Sequence, residues 1–231
     1  MIDSIKAVLI DIEGTIAPIR FVHEVLFPYA RERIDSFLTT HQQSSKIKPL
    51  LDALAERLTS EYGYIPPLNK VISTLKAWID QDRKDFILKV FQGMIWEQGF
   101  SQGDFKGMIY PDVPVCLKKW SERGITLAIY SSGSVQAQKL YLRYSDQGDL
   151  TALFSQHFDT AIGSKKDPFS YVKIAQSFEL EPGQILFLSD LEDELLAAQK
   201  SDYQVTQLVR DEQTKASITL RRATNFHEIQ I

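Results

Sequence analysis

Two carboxylates, Asp11 and Glu13, and the glycine after them, Gly14, are the residues of this sequence best suited to chemistry. Side chains alternate along an extended chain, so residues 11 and 13 point toward the same place. One carboxylate can attack a phosphorus atom while the other moves a proton for the leaving group or the attacking water. Two negative charges beside a phosphate repel one another, so this chemistry calls for a bound divalent cation. The alternative is a pair of acidic residues that are merely solvated at the end of a strand.

The element that positions this pair is the apolar run Ala7–Ile10. It is too short for a helix, and its composition predicts a strand buried on both faces, as in a parallel sheet. Gly14 lets the backbone turn sharply after the two carboxylates. Open α/β sheets bind ligands at the carboxyl ends of their strands, which is where Asp11 and Glu13 fall.

Further polar residues follow three later predicted strands, each at its carboxyl end. They are Ser131 and Ser132 after residues 125–130, Lys165 after residues 158–162, and Asp190 after residues 185–188. A hydroxyl at a helix start can hold phosphoryl oxygens, a lysine can stabilise charge that develops during transfer, and an aspartate suits Mg²⁺. Glu194, one helical turn after Asp190, is a candidate partner for these groups. Taken singly, the serines could be a helix cap and the lysine a surface charge.

The spacing of apolar residues divides the chain into two kinds of structure. Four amphipathic helices with no strand between them are predicted over residues 22–37, 47–58, 68–79 and 86–95. From residue 107 onward strands and helices alternate, with helices expected over 111–123, 135–144, 169–178 and 195–200, a strand over 203–209 and an edge element over 226–231. This alternation predicts a doubly wound parallel α/β sheet. Residues 1–16 and 108–231 then form the core, and residues 17–107 form an inserted helical subdomain.

The composition of the 231-residue chain excludes several other classes of protein. With 44% hydrophobic residues it is globular, and a net charge of −4 gives no electrostatic footprint for nucleic acid. No apolar run is long enough for a membrane span, and no leader segment is evident, so a cytoplasmic protein is expected. The single cysteine, Cys116, excludes an internal disulfide and is interpreted as core packing. Four scattered histidines argue against a zinc site.

The order of carboxylate pair, hydroxyl, lysine and acidic residue resembles the signature of the haloacid dehalogenase (HAD) superfamily. Its first motif is D-x-D-G-T, and D-I-E-G-T at residues 11–15 carries Glu in place of the second Asp. Other segments resemble one branch, the enolase-phosphatase (acireductone synthase) family of methionine salvage. They are F-V-H-E-V-L-F-P-Y-A at 21–30, Y-P-D-V-P at 110–114, Y-S-S-G-S-V-Q-A-Q-K-L at 130–140, F-D-T-A-I-G-S-K at 158–165 and I-L-F-L-S-D at 185–190.

This resemblance implies a HAD-like Rossmannoid core with a helical cap, one Mg²⁺ per subunit and a monomer. It implies that 2,3-diketo-5-methylthiopentyl-1-phosphate is converted to an enediol phosphate, which is then hydrolysed to acireductone and phosphate. Carried over by position, Asp11 is the nucleophile and a metal ligand, and Glu13 is the acid/base and a ligand through its main-chain carbonyl. The same positions make Ser131 and Ser132 substrate-binding residues, Lys165 the phosphate-binding residue and Asp190 a metal ligand. The cap would exclude water when it closes.

The chain departs from the family pattern at Ile16, Ala17 and Arg20, where small polar residues are usual. These positions lie beside the expected cap hinge, so they bear on substrate fit more than on phosphatase chemistry. Two alternatives stay open: a HAD phosphatase for another small phosphorylated metabolite, and a non-enzymatic phosphoacceptor module. Glu13 argues against the module, because a mere acceptor needs no acid/base two residues after its aspartate.

Overall fold

The computed structural model describes residues 5–212 and 214–231. The chain divides into two compact units: Met1–Phe21 together with Lys106–Ile231, and Val22–Phe105. The first unit therefore continues past residue 16, where the sequence places its boundary. The reason is apolar packing, since Ala17 is buried and Phe21 packs edge-on against Tyr141 with ring centroids 5.5 Å apart.

The first unit is built on one parallel sheet. In the described residues its strands are β1 (Ala7–Ile10), β2 (Thr126–Tyr130), β3 (Gln156–Phe158), β4 (Ile185–Ser189), β5 (Gln204–Leu208) and β6 (Arg222–Ala223). They lie in the order β3-β2-β1-β4-β5-β6, and each neighbouring pair is parallel. The chain order reverses on either side of β1, and such a reversal is where open α/β sheets form their ligand crevice.

Burial explains why β1 is the central strand. All four of its side chains are fully buried, as expected for a strand covered on both faces. On one face Ala7 and Leu9 pack in a cluster with Tyr130, Tyr171 and Phe187. Asp11 is the first residue after this buried strand, so it lies at the carboxyl edge of the sheet.

The helices follow the two-part organisation. In chain order they are α1 (Ile19–Phe21), α2 (Phe27–His41), α3 (Lys48–Tyr62), α4 (Leu68–Asp80), α5 (Phe86–Gln102), α6 (Asp112–Glu122), α7 (Val135–Arg143), α8 (Pro168–Phe178) and α9 (Glu192–Gln199). A π-helical segment, Val22–Leu26, precedes α2. Helices α2 to α5 form the second unit around a core that includes Leu54, Leu75 and Phe91. Within the described ranges no helix is long and apolar enough to cross a membrane.

Two predicted elements differ from the structure. The strand expected over 158–162 is wrong, because β3 ends at Phe158. The Asp159 carboxylate there accepts hydrogen bonds from the amides of Val135 and Ala161 at 3.2 and 2.9 Å, so the chain turns and leaves the sheet. The edge element expected over 226–231 is a 3₁₀ turn, Phe226–Glu228, and the edge strand is the preceding β6. A strand of two residues leaves no periodic pattern in a sequence.

Candidate active site

The turn after β1 holds the two carboxylates at the sheet edge. The Asp11 amide donates to the carbonyl of Leu188 in β4 at 2.9 Å, and its carboxylate is buried. The amides of Ile16 and Ala17 both donate to the Ile12 carbonyl at 3.0 Å, which closes a tight turn around the half-buried Glu13. The sequence predicted that Asp11 and Glu13 alternate along an extended chain. In the structure Asp11 directly follows β1, and Glu13 lies within the turn.

Lys165 lies between two buried carboxylates. Its Nζ is 2.6 Å from Asp11 Oδ1 and 2.6 Å from Glu194 Oε2, and its side chain is 5% exposed. Burial by itself lowers the pKa of Lys165, but the ion pairs with Asp11 and Glu194 outweigh it, so the pKa is raised and the amine stays charged. Ser189 at the end of β4 holds Glu194 in place by donating to Oε2 at 2.9 Å.

The loop that carries Lys165 is fixed by the start of α8. The Tyr171 hydroxyl donates to the Lys165 carbonyl at 2.6 Å, and the Ser170 hydroxyl donates to the Ser164 carbonyl at 2.8 Å. The Tyr171 hydroxyl belongs to a side chain that is itself fully buried beneath the sheet edge. Lys165 lies well beyond the end of β3, so the strand does not fix its position. The hydrogen bonds from Ser170 and Tyr171 to the main-chain carbonyls of its loop do so.

Ser131 pairs with the second carboxylate. Its hydroxyl donates to Glu13 Oε2 at 2.9 Å and accepts from the Gly133 amide at 3.1 Å. Ser134 caps α7 by accepting from the Ala137 amide, so the predicted cap role belongs to Ser134 and leaves Ser131 for the site. Ser132 is half-buried in the same loop between β2 and α7.

Asp190 follows β4 and lies against the turn after β1. A Cβ placed on Gly14 would overlap the Asp190 carboxylate, which shows how closely this side chain approaches the backbone beside Glu13. The Asp190 carbonyl accepts from Gln207 Nε2 at 2.8 Å. Burial, with a further contribution from Glu194, raises the pKa of Asp190 to about 6. Burial likewise raises the pKa of Asp11, although Lys165 acts to lower it.

The residues of this edge fit a hard divalent cation. Two buried carboxylates, Asp11 and Glu194, contact the Lys165 ammonium, while Glu13 lies against Ser131 and Asp190 against Gly14. Carboxylate oxygens of this kind suit Mg²⁺. In the part of the chain that the structure describes, no three His, Cys, Asp or Glu side chains form a metal cluster by themselves. Asp11 and Asp190 supply two carboxylates at this edge, and main-chain carbonyls and water can complete such an oxygen site.

The six candidate site residues thus come from loops at one edge of the sheet, and their candidate partner Glu194 lies in the first turn of α9. The structure places Ile16 and Ala17, which depart from the family pattern, in the core at 0% and 2% exposure, whereas Arg20 is exposed on α1. Cys116 is buried with its Sγ 3.4 Å from His227 Nδ1, as its interpretation as a core residue requires. Sequence reasoning missed the role of Ser189 in holding Glu194, although the position of Ser189 directly before Asp190 at the end of a strand was a usable signal.

Comparison with known proteins identifies the class. The family model described as haloacid dehalogenase-like hydrolase matches residues 5–202. Enolase-phosphatase E1 of Citrobacter koseri is 49% identical over 213 residues, 92% of each chain, and that of Klebsiella pneumoniae (strain 342) is 47% identical over 229 residues, 98% of this chain and 99% of the other. In three dimensions, the crystal structure of the UTR4 protein (Unknown transcript 4 protein) of Saccharomyces cerevisiae aligns with a TM-score of 0.79 at 28% identity, covering 98% of this chain and all of that one.

The sheet order, the strand-end carboxylates and the family match define a haloacid dehalogenase-like hydrolase. Within that class, relatives that are almost half identical over nearly their full length identify a particular family. The chain belongs to the enolase-phosphatase E1 family.

The contact between Gly14 and Asp190 gives a first prediction. Gly14 and Gly124 both have positive φ, +71° and +81°, but nothing lies within 4 Å of a Cβ at Gly124. We expect Gly124→Ala to cost about 1 to 2 kcal/mol of unfolding free energy and to leave turnover unchanged. Gly14→Ala should carry the same backbone cost and also displace Asp190, lowering phosphatase turnover by at least about tenfold.

Chemical denaturation and hydrolysis of p-nitrophenyl phosphate measure the two effects separately. Equal turnover in both variants would mean that Asp190 does not need its position against Gly14.

Proposed function

We propose that this chain is the bifunctional enolase-phosphatase of methionine salvage. It converts 2,3-diketo-5-methylthiopentyl-1-phosphate to an enediol phosphate and hydrolyses that to acireductone and phosphate. The proposal rests on the ion pair between Lys165 Nζ and Asp11 Oδ1 at 2.6 Å, together with the hydrogen bond from Ser131 to Glu13. A nucleophile, a cation and an acid/base are thereby gathered at one sheet edge in a chain nearly half identical to enolase-phosphatases.

In the hydrolytic step the Asp11 carboxylate attacks phosphorus, and the bond from phosphorus to the leaving oxygen breaks. Glu13 donates a proton to that oxygen, then takes one from the water that releases phosphate from Asp11. The Lys165 ammonium stabilises negative charge on the phosphoryl oxygens. Ser131 and Ser132, beside the Gly133 amide, bind the same oxygens. Enolisation, by contrast, moves a proton on the carbon chain and leaves phosphorus untouched.

We further propose one Mg²⁺ per subunit, held by Asp11, Asp190 and the carbonyl of Glu13. When bound, it supplies positive charge against the phosphate and Lewis acidity toward a substrate carbonyl. Treatment with EDTA should abolish hydrolysis of p-nitrophenyl phosphate, and added Mg²⁺ should restore it. A control with EDTA already saturated with Mg²⁺ separates chelation from other effects of the reagent.

A binding readout makes this prediction independent of turnover. Mg²⁺ should raise the melting temperature of the wild type and have a smaller effect on Asp190→Asn, because a ligand that binds only the folded state stabilises it. Full activity in a metal-stripped preparation would remove the metal assignment.

A second candidate is a HAD phosphatase for another small phosphorylated metabolite. Arg20 favours it, because an exposed cation stands on α1 where the family has a small polar residue. Comparison of kcat/KM for the diketo phosphate with a panel of sugar phosphates distinguishes the two. A chain that turned over neither these nor p-nitrophenyl phosphate would be a phosphoacceptor module.

We propose the remaining properties on the family resemblance. The helical unit, Val22–Phe105, acts as the cap over the substrate, and the protein is a cytoplasmic monomer. Light scattering coupled to size exclusion tests the last point, since a monomer has a mass of 26.4 kDa.

A further inference from the structure

Arg210 is a buried arginine next to the turn that carries Glu13. It follows β5, and its side chain is 4% exposed. Its Nε donates to the carbonyl of Thr15 at 2.9 Å, and its Nη1 donates to Asp112 Oδ2 at 2.9 Å. One guanidinium therefore joins a fixed carboxylate to a main-chain carbonyl two residues after Glu13.

Further contacts hold both Asp112 and the Arg210 guanidinium in place. Asp112 Oδ2 accepts a second hydrogen bond, from the Phe226 amide at 2.7 Å. The guanidinium carbon lies 4.3 Å from the ring centroid of Tyr110 and 5.2 Å from that of Phe226. The Tyr110 amide donates to the carbonyl of Ile16 at 3.0 Å. The guanidinium thus has little freedom to rotate away from the turn.

Stability alone does not account for this arrangement. The desolvation of a buried ion pair often offsets its Coulombic attraction, and apolar residues can frequently replace such a pair without loss. What an apolar side chain cannot provide is a directed hydrogen bond to the Thr15 carbonyl. The Thr15 hydroxyl is buried and has no hydrogen-bond partner among the described residues, so its side chain does not fix the turn. Main-chain contacts must do so.

We propose that Arg210, oriented by Asp112, is a positioning residue that fixes the backbone of residues 13–16 and thereby the carboxylate of Glu13. It acts through the Thr15 carbonyl. This inference rests on the proposed phosphatase function, because it assigns Arg210 an effect on proton transfer by Glu13.

The test compares two arginines that both contact the C-terminal segment. Arg210 Nη1 also donates to the Thr224 carbonyl at 3.3 Å, and Arg123 Nη2 donates to the Ile231 carbonyl at 2.7 Å. Only the first of these side chains also donates to the turn. Kinetics with p-nitrophenyl phosphate and thermal melting are measured for Arg210→Lys, Arg210→Ala and the control Arg123→Ala.

Arg210→Lys keeps the charge beside Asp112 but loses the planar fork that reaches both partners at once. We expect kcat to fall about 10- to 100-fold, because small misplacements of catalytic groups have effects of this size. KM should change little, since Ser131 and Lys165 are untouched. Guanidinium ion, added far below denaturing concentrations, should restore kcat to Arg210→Ala and leave Arg123→Ala unchanged.

The outcomes distinguish failure of the proposed phosphatase function from failure of the positioning role of Arg210. A wild-type chain that hydrolyses neither the diketo phosphate nor p-nitrophenyl phosphate would refute the proposed function, whatever the variants do. With an active wild type, an unchanged kcat in Arg210→Lys overturns the positioning role. The same holds if guanidinium raises the melting temperature of Arg210→Ala without raising kcat, or if neither Arg210 variant folds, because Arg210 would then act only on stability.

Discussion

Replacing Asp11 with asparagine is expected to abolish phosphate release while the diketo phosphate is still converted, more slowly, to its enediol phosphate. In the proposed mechanism the Asp11 carboxylate attacks phosphorus, and an amide is too poor a nucleophile to replace it. Loss of a covalent nucleophile typically costs a factor of about 10⁴ or more in turnover. The first half-reaction nowhere requires attack at phosphorus, so it should survive.

The local structure should tolerate this substitution. An asparagine retains an oxygen that can accept from Lys165 Nζ, now 2.6 Å from Asp11 Oδ1, and Lys165 keeps its ion pair with Glu194. Asp193→Asn is the matched control. It makes the same chemical change on the exposed partner of Lys166, which lies outside the proposed site.

Ultraviolet absorbance follows the enediol while a phosphate assay follows hydrolysis. If folded Asp11→Asn yields neither product, Asp11 serves both half-reactions and their separation is wrong. If it releases phosphate at a rate close to that of Asp193→Asn, the nucleophile is another residue.

The strands that carry the site could be predicted because their signal is local. The buried runs that became β1, β2 and β4 are contiguous and apolar, and each ends at the polar residue assigned to chemistry. The parallel order followed from alternation with helices. Position after a strand was therefore sufficient to bring Asp11, Ser131 and Asp190 to one edge of the sheet.

The ion pair of Lys165 with Asp11 could not be predicted, because it joins distant parts of the chain, whereas Glu194 was expected as a partner of the strand-end groups. In the sequence Lys165 and Lys166 are adjacent, and the family resemblance alone distinguishes them. Only the fold buries the first between Asp11 and Glu194 and leaves the second exposed beside Asp193.

Arg210 was missed for the same reason. Arginine is seldom buried without a partner, and its partner, Asp112, lies 98 residues away in sequence. The departures at Ile16 and Ala17, which the sequence placed beside the expected cap hinge, are buried in the first unit.

Lys165→Ala should lower kcat/KM for phosphate hydrolysis by about 30- to 1000-fold, while Lys166→Ala leaves it near the wild-type value. Removing one preorganised electrostatic contact typically costs about 2 to 4 kcal/mol in the transition state. Lys166 is the matched control because it is the same residue type one position on, and its exposed side chain forms an ion pair with the exposed Asp193.

The loss at Lys165 has a second component that must be separated from catalysis. Without its ammonium group, the Asp11 and Glu194 carboxylates remain buried without their cation, and breaking a buried pair costs about 3 to 5 kcal/mol of stability. A background of Glu194→Gln removes one of the two charges and keeps an oxygen that can accept from Ser189. The double variant Lys165→Ala with Glu194→Gln should therefore be more stable than Lys165→Ala alone.

Its hydrolysis should nevertheless stay as low as that of Lys165→Ala, because neither residue of the double variant can stabilise the transferring phosphoryl group. Urea denaturation and steady-state kinetics measure the two components independently in the wild type, Lys165→Ala, Lys166→Ala and the double variant. Recovery of kcat/KM together with stability would show that Lys165 only neutralises its two buried neighbours. Equal losses at Lys165 and Lys166 would mean that the phosphate is bound by another residue.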